Sequence, residues 1–264
     1  MKSTAATLIK AIFLLVLLGS GWGCFRILTA KSRPSELPIQ AVPQTANYSQ
    51  RLLALAERRA ALASLHRQAR TAAEKTALLR QARQLLIASL DTAIWPTWYG
   101  TPWAFYGTTQ TPQQGQIACG YFVTTTLRDA GLRLERIALA KATSENLIKN
   151  LTDEAHISRY RLVPQRSFVE QMQQLGDGLY VVGLDFHVGF LLVSNGQVRF
   201  IHSTYLGDAT VVNEEAATSE ALRSKYRVVG HLSADRNFVE RWLQQKQFVY
   251  PVPKPKASSK GKRA

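Results

Sequence analysis

The chain has 264 residues, of which 46% are hydrophobic, so it is long enough for one substantial folded domain with flanking segments. Its net charge is +15, yet residues 96–250 carry 15 Lys/Arg against 14 Asp/Glu. Proteins that track phosphates carry basic residues on the folded domain, so we expect no nucleic-acid partner. The basic flanks suit contact with an anionic membrane or wall polymer, or serve only for solubility.

The first 30 residues predict export. Lys2 and Lys10 precede an uncharged, mostly apolar run from Ala11 to Phe25, which is shorter than the ~20 residues of a spanning helix. Such a run is typical of a signal peptide or a short signal-anchor, and Cys24 leaves a lipoprotein signal open. We therefore expect an exported protein of the cell envelope or periplasm, associated with the membrane through residues 1–30.

Three further segments flank or precede the main domain. Residues 31–47 contain three prolines without apolar periodicity and are predicted to be a linker. Residues 48–95 are rich in Ala, Leu and Arg at helical spacing, which predicts one long helix or a helical hairpin, either docked on the domain or acting as a stalk. Residues 251–264 predict a disordered basic tail.

Residues 96–250 mix helix and strand patterns. Helices are predicted from Cys119 to a stop at Gly131, from the capping box of Ser167 and Glu170 to Gly176, and near residues 236–248. Strand-like runs follow the second of these helices. The predicted fold class is α+β.

The stretch from Gly178 to Tyr205 reads as two strand-like runs around Asn195-Gly196, a strong hairpin signal. In a two-residue loop Ser194 faces Gln197. That pairing fixes the register of all the residues further along the hairpin.

This register places two histidines on one face of the sheet. His187 and His202 become diagonal neighbours within reach of each other, and Gly189 lies opposite His202, leaving space there. Asp185 shares their face, where it either orients His187 or is solvated. The alternative is a pair of structural histidines.

Cys119 is predicted in the first turn of its helix. A helix N-terminus and a neighbouring imidazolium lower the pKa of a thiol, and free amides there can receive an oxyanion. A thiol at a helix start followed by a base on a strand has the order of a nucleophile and its activator. We therefore expect Cys119 to be a reactive thiolate.

The segments "GTPWAFYGTTQTPQQGQIACGYFV" and "HVGFLLVSNGQVRFIHS" resemble the NlpC-type, papain-like peptidases and amidases of bacterial cell walls, over residues 98–205. That family shows a GTPY-x-WGGT loop, a DCSG helix start, an HVGIY strand and a histidine on the next strand. The resemblance implies a papain-like core for residues 96–250, with the nucleophile helix packed on an antiparallel sheet.

The resemblance also implies roles for individual residues. Cys119 would be the nucleophile, His187 the base and His202 the residue that orients it. Trp103 stands where the family has a loop tyrosine, and it is expected to bind substrate together with Tyr121 and Asp185. The chain departs from the family at three places that shape the cleft, with Ala118 for Asp, Gly120-Tyr121 for Ser-Gly and Tyr106 for a glycine.

The expected function is an exported thiol hydrolase that cleaves an amide bond, with peptides of a wall polymer as the implied substrate, through a thioester intermediate. Two alternatives remain, a catalytically idle envelope scaffold that binds partners through residues 48–95, and an acyltransferase on the same fold. Cys119, His187 and His202 are also zinc-ligand types, but no further Cys/His pair stands at ligand spacing. We therefore expect neither metal nor cofactor.

Overall fold

A computed structural model describes residues 47–249. The predicted export segment, most of the predicted linker and the predicted basic tail lie outside these residues. Within the described range, no helix combines the length and the apolar character needed to cross a membrane. The fold is mixed α+β, with an antiparallel sheet and helices.

Eight α-helices are described in residues 47–249. In chain order they are α1 Tyr48–Gln68, α2 Ala72–Ser89, α3 Trp95–Trp98, α4 Cys119–Asp129, α5 Arg136–Ala140, α6 Ser144–Leu151, α7 Gln165–Leu175 and α8 Arg236–Leu243. A π-helical turn, Leu90–Ile94, joins α2 to α3, and a 3₁₀ turn, Glu154–His156, follows α6.

Eight strands form two sheets within the same range. They are β1 Arg133–Leu134, β2 Ile157–Arg161, β3 Gly178–Leu184, β4 Val188–Ser194, β5 Gln197–Ser203, β6 Val211–Glu215, β7 Tyr226–His231 and β8 Gln247–Phe248. The main sheet has the order β2-β7-β3-β4-β5-β6 and is antiparallel throughout, whereas β1 and β8 form a short parallel pair.

Hydrophobic clusters cover both faces of the main sheet, because side chains alternate along each strand. Val181 of β3 belongs to a first cluster with Phe122 of α4, while its neighbour Val182 belongs to a second cluster with Phe168 of α7. The sheet is therefore a central layer, and strands β3 and β4 are buried on both sides.

Two capped helices form the N-terminal hairpin. Asn47 and Gln50 make a reciprocal capping box at the start of α1, and Thr71 and Glu74 make another at the start of α2. Each box satisfies amides that the first turn leaves unpaired. The chain therefore turns between Gln68 and Ala72, and the region is a hairpin rather than one long helix.

The hairpin is docked and does not form a free stalk. Leu62 of α1 and Leu86 of α2 belong to the first hydrophobic cluster, together with residues of α4 and the sheet. Arg59 donates a hydrogen bond to the carbonyl of Gly131 at 2.9 Å. These contacts make the helices part of the same core as the sheet.

Two predicted helix boundaries were wrong. α7 begins at Gln165, directly after Pro164, rather than at a cap formed by Ser167, because proline's fixed φ suits the entry to a helix. α8 ends at Leu243 instead of continuing to residue 248, since residues 247–248 form β8 and pair with β1.

The predicted strand before the Asn195-Gly196 turn is two strands. A tight turn at Asp185-Phe186 separates β3 from β4, and the Leu184 amide donates to the His187 carbonyl at 2.8 Å across it. Antiparallel pairing of β3 with β4 replaces one long strand. His187 therefore lies at the end of a hairpin, beside the start of β4.

Candidate active site

Helix α4 begins at the cysteine, as predicted. Cys119 is its first residue, and the helix ends at Asp129, before Gly131 with φ of 94°. No side chain caps the start of the helix, so its first amides have no side-chain partner. The partly buried thiol of Cys119 thus lies at a helix start that no side chain caps.

Close backbone contact fixes the position of this helix start. A Cβ added at Gly120 would lie 2.4 Å from the carbonyl oxygen of Ala140 in α5. Only glycine allows the two helices to approach so closely. The glycine that follows the cysteine therefore positions the thiol.

The hairpin has the predicted register. Ser194 pairs with Gln197 and Phe190 with Ile201, as a two-residue turn at Asn195-Gly196 requires. His187 and His202 consequently meet, with His187 Nε2 2.8 Å from His202 Nδ1. Both side chains are buried.

The expectation of open space at Gly189 was wrong. A Cβ there would lie 2.6 Å from the ring of Phe200 and 2.7 Å from Cβ of His202. The Phe200 ring stacks on the His202 ring, with centroids 3.9 Å apart. The glycine therefore admits the stacked pair and leaves no cavity.

Sequence reasoning missed an acidic residue beside the second histidine. His202 Nε2 lies 2.9 Å from Glu214 Oε1, and the hydroxyl of Ser219 donates to the same oxygen. Phe200 pairs with Glu214 across β5 and β6, and His202 pairs with Val212, so Glu214 shares the face of His202. No local signal identifies this pairing, because an irregular loop separates the two strands.

Cys119 and His187 line one cleft of about 260 Å³. His187 Nδ1 has no hydrogen-bond partner, whereas the other ring nitrogen contacts His202. The backbone amides of Val188 and Gly120 lie close enough to Cys119 Sγ to favour its anionic form. Both the cysteine and the histidine thus line the cleft, and one ring nitrogen of that histidine is buried without a hydrogen-bond partner.

Burial favours the neutral forms of the Cys119 thiol and the His187 imidazole. It raises the pKa of the Cys119 thiol, and the nearby amides only partly oppose it. Burial and, to a smaller extent, the adjacent His202 lower the pKa of His187 to about 3. The predicted lowering of the thiol pKa was therefore wrong, because desolvation outweighs the helix start.

Burial also lowers the pKa of His202, although the hydrogen bond that His202 donates to Glu214 opposes this. The contact with His202 in turn lowers the pKa of the Glu214 carboxyl. At neutral pH the site therefore holds a neutral thiol, two neutral imidazoles and one carboxylate.

Of the residues expected to bind substrate, two lie outside the cleft. The Trp103 ring contacts Tyr205 at 5.7 Å, and Tyr205 in turn lies 6.0 Å from the His187 ring. The Tyr121 ring lies under the guanidinium of Arg136, 4.8 Å from it, and packs against the first hydrophobic cluster. Tyr205, which sequence reasoning missed, lies beside His187, as does Phe200.

Asp185 does line the cleft but does not orient His187. Its carboxylate accepts hydrogen bonds from the Ser224 hydroxyl at 2.7 Å and the Lys225 amide at 2.8 Å. These bonds lower its pKa. Asp185 therefore fixes the turn that carries His187, and Phe186 at the tip of this turn is 94% exposed.

Residues of this turn also line a second groove of about 880 Å³. Asp185, Phe186 and His187 line both spaces, so the groove adjoins the cleft. Arg223 and Lys225 also line it. The lining of the groove is therefore more positively charged than the domain as a whole.

Residues 47–249 contain no group of three or more His, Cys, Asp or Glu side chains arranged to hold a metal ion. The arrangement present suits acyl chemistry, in which a thiol attacks a carbonyl, an imidazole takes its proton and helix-start amides receive the oxyanion. Compared with protein-family models, with curated proteins and with solved structures, the chain has no significant match.

Proposed function

We propose that the protein is a thiol hydrolase with a papain-like, NlpC-type site, which cleaves an amide bond in peptides of a wall polymer. The observation that carries the proposal is the cleft that Cys119 and His187 both line. It is supported by the buried, unpaired Nδ1 of His187, whose Nε2 contacts His202. The resemblance of residues 98–205 to wall peptidases supports the substrate class. The apolar run near the N-terminus supports export to the cell envelope.

In the proposed reaction His187 Nδ1 takes the thiol proton as Cys119 Sγ attacks the substrate carbonyl carbon. Amides at the start of α4 stabilise the oxyanion. The C–N bond then breaks, and His187 returns the proton to the leaving amine. Water, activated by the same nitrogen, hydrolyses the thioester and releases a carboxylate.

The proposed reaction is compatible with a neutral Cys119 thiol and a neutral His187 ring in the resting enzyme. The proton transfer from Cys119 to His187 creates both charges together, and their attraction offsets the cost of burying each one. The reactive pair then forms during the attack instead of existing beforehand, as in hydrolases with a neutral hydroxyl nucleophile.

The groove with Arg223 and Lys225 favours a substrate with carboxylates near the scissile amide. Wall peptides carry such carboxylates. One side of the substrate, either the acyl group or the leaving amine, would occupy the groove while the scissile amide reaches Cys119. Phe186, exposed between the two spaces, would contact the substrate.

Replacement of the thiol tests the mechanism. We expect Cys119→Ala to abolish amine release from purified peptidoglycan and to abolish the thioester adduct that intact-mass spectrometry detects after an acid quench. The matched control Cys24→Ala removes the chain's other cysteine and should keep both signals. Full hydrolysis by folded Cys119→Ala would exclude the thiol mechanism.

The second candidate is a catalytically idle envelope scaffold. The raised pKa of Cys119 and the lowered pKa of His187 favour it, because neither group is charged at rest. Wild-type protein that forms no adduct and releases no amine from any wall peptide would select this alternative.

A further inference from the structure

Four side chains form a continuous hydrogen-bonded chain behind the cleft. His187 Nε2 and His202 Nδ1 are 2.8 Å apart, and His202 Nε2 and Glu214 Oε1 are 2.9 Å apart. Ser219 donates its hydroxyl proton to the same carboxylate oxygen. The His202 side chain is 0% exposed, so water does not compete for its nitrogens.

The carboxylate decides which nitrogens carry protons. An ionised carboxylate only accepts hydrogen bonds, so His202 Nε2 must be the donor to Glu214. Neutral His202 then has a lone pair on Nδ1, and the adjacent His187 Nε2 must donate to it. Neutral His187 is left with its lone pair on Nδ1, the nitrogen without a partner.

The opposite arrangement would inactivate the base. If His202 carried a proton on Nδ1, it would donate to His187 Nε2, and neutral His187 would carry its proton on Nδ1. That nitrogen could not then accept a proton from Cys119. Without Glu214 nothing among the hydrogen bonds of His202 selects between the two arrangements.

We propose that Glu214 is a positioning residue, which fixes the tautomers of His202 and His187 so that His187 Nδ1 is free to act as the base. This inference rests on the proposed function of the Cys119 cleft and extends it by a third group behind the nucleophile. Glu214 does not contact Cys119 and acts through the two imidazoles.

Glu214 also compensates charge during the reaction. When His187 Nδ1 accepts the thiol proton, the ring becomes an imidazolium that still donates from Nε2 to His202. Movement of that Nε2 proton to His202 Nδ1 would place the positive charge directly beside the Glu214 carboxylate. The proton count is unchanged in this step, and the buried charge gains an opposite partner.

Ser219 holds the carboxylate in place. It is 2% exposed, its hydroxyl donates to Glu214, and the Leu222 amide donates to its oxygen at 3.2 Å. The loop after β6 therefore fixes the rotamer of Glu214. The position of the base depends on this loop as well as on the hairpin.

Histidine tautomers in the full chain test the inference directly. The chain has five histidines, so ¹⁵N-histidine labelling with two-bond ¹H–¹⁵N correlation gives few signals, which His→Gln variants assign. At pH 7 we expect both His187 and His202 to carry their proton on Nε2. We expect Glu214→Ala to destroy this pattern, and Glu214→Gln to keep it because the amide oxygen still accepts.

The rate of Cys119 alkylation by iodoacetamide at pH 7 is the second readout, in a Cys24→Ala background. We expect Glu214→Ala to lower the rate roughly tenfold or more, since the wrong tautomer removes the base. The matched control Glu215→Ala, on the neighbouring exposed residue of β6, should leave both readouts unchanged. Circular dichroism confirms folding of each variant.

Two results would overturn the inference. One is wild-type His187 with its proton on Nδ1, a measurement that needs no variant. The other is folded Glu214→Ala with the tautomers and alkylation rate of Glu215→Ala. Neither readout uses a substrate, so a failure of this inference is distinguishable from the absence of hydrolysis that would refute the proposed function.

Discussion

Two opposing effects act on the pKa of the Cys119 thiol. The uncapped start of α4 and the nearby amides of Val188 and Gly120 favour the thiolate, whereas burial favours the thiol. Burial is the larger effect, so the pKa of Cys119 lies above its ordinary value. His187, which is buried, is neutral at physiological pH for the same reason.

A pH titration of the thiol checks this balance. In a Cys24→Ala background, we expect the iodoacetamide rate of Cys119 to rise with an inflection above the ~8.5 of free cysteine, because burial penalises the anion. The measurement is the second-order rate constant from pH 5 to pH 10. An inflection below the free value would mean a preformed thiolate–imidazolium pair. Cys119→Ala gives the background reaction.

At the scale of elements, the site depends on how α4 meets α5 and the sheet. α4 packs on β4 and β5, and Gly120 allows its first turn to approach the Ala140 carbonyl in α5. The turn between β3 and β4 then carries His187 to the same cleft. The nucleophile and the base therefore come from elements that are distant in sequence and adjacent in space.

Gly120→Ala tests the close approach of α4 and α5. Alanine in a helix is ordinarily more stable than glycine by about 1 kcal/mol. Here the added Cβ would lie 2.4 Å from the Ala140 oxygen. We expect a loss of about 1–3 kcal/mol in the free energy of unfolding, measured with urea.

The sign of the change in the free energy of unfolding decides whether α4 and α5 approach each other this closely. A gain in stability for Gly120→Ala would mean that the two helices are further apart than the structure has them. A loss accompanied by altered Cys119 alkylation would show that the glycine also positions the thiol.

For the whole molecule, the N-terminal hairpin completes the core. Leu62 and Leu86 lie in the first hydrophobic cluster, and Arg83 donates to the Asp177 carbonyl at 2.6 Å. The Tyr48 hydroxyl donates to Asp129 at 2.6 Å, at the C-terminal end of α4. Through α4 the hairpin supports the helix that begins with Cys119.

Two leucine variants measure this support. Leu86→Ala removes a side chain that is 1% exposed and should lower the free energy of unfolding by about 2–5 kcal/mol. Its matched control, Leu53→Ala on α1, changes a leucine that is 64% exposed and should cost less than about 0.5 kcal/mol. Thermal and urea unfolding of the full chain provide the comparison.

Equal effects of Leu86→Ala and Leu53→Ala would indicate a hairpin that does not share the core. A single cooperative transition that shifts only in Leu86→Ala would show that residues 48–95 unfold together with the sheet.

The sequence by itself determined the features that depend on neighbouring residues. The turn at Asn195-Gly196 fixed the register of β4 and β5, and hence the contact between the side chains of His187 and His202. Helical periodicity placed Cys119 at the start of α4. These inferences succeed because turn chemistry and side-chain periodicity are local properties.

Only the tertiary structure decided the features that depend on which elements pack together. The contact of His202 with Glu214, the turn at Asp185-Phe186 and the cleft shared by Cys119 and His187 all join residues through strand order or helix docking. Burial then reversed the predicted pKa shift of the thiol, since desolvation depends on all surrounding atoms. Local sequence patterns contain neither strand order nor packing density.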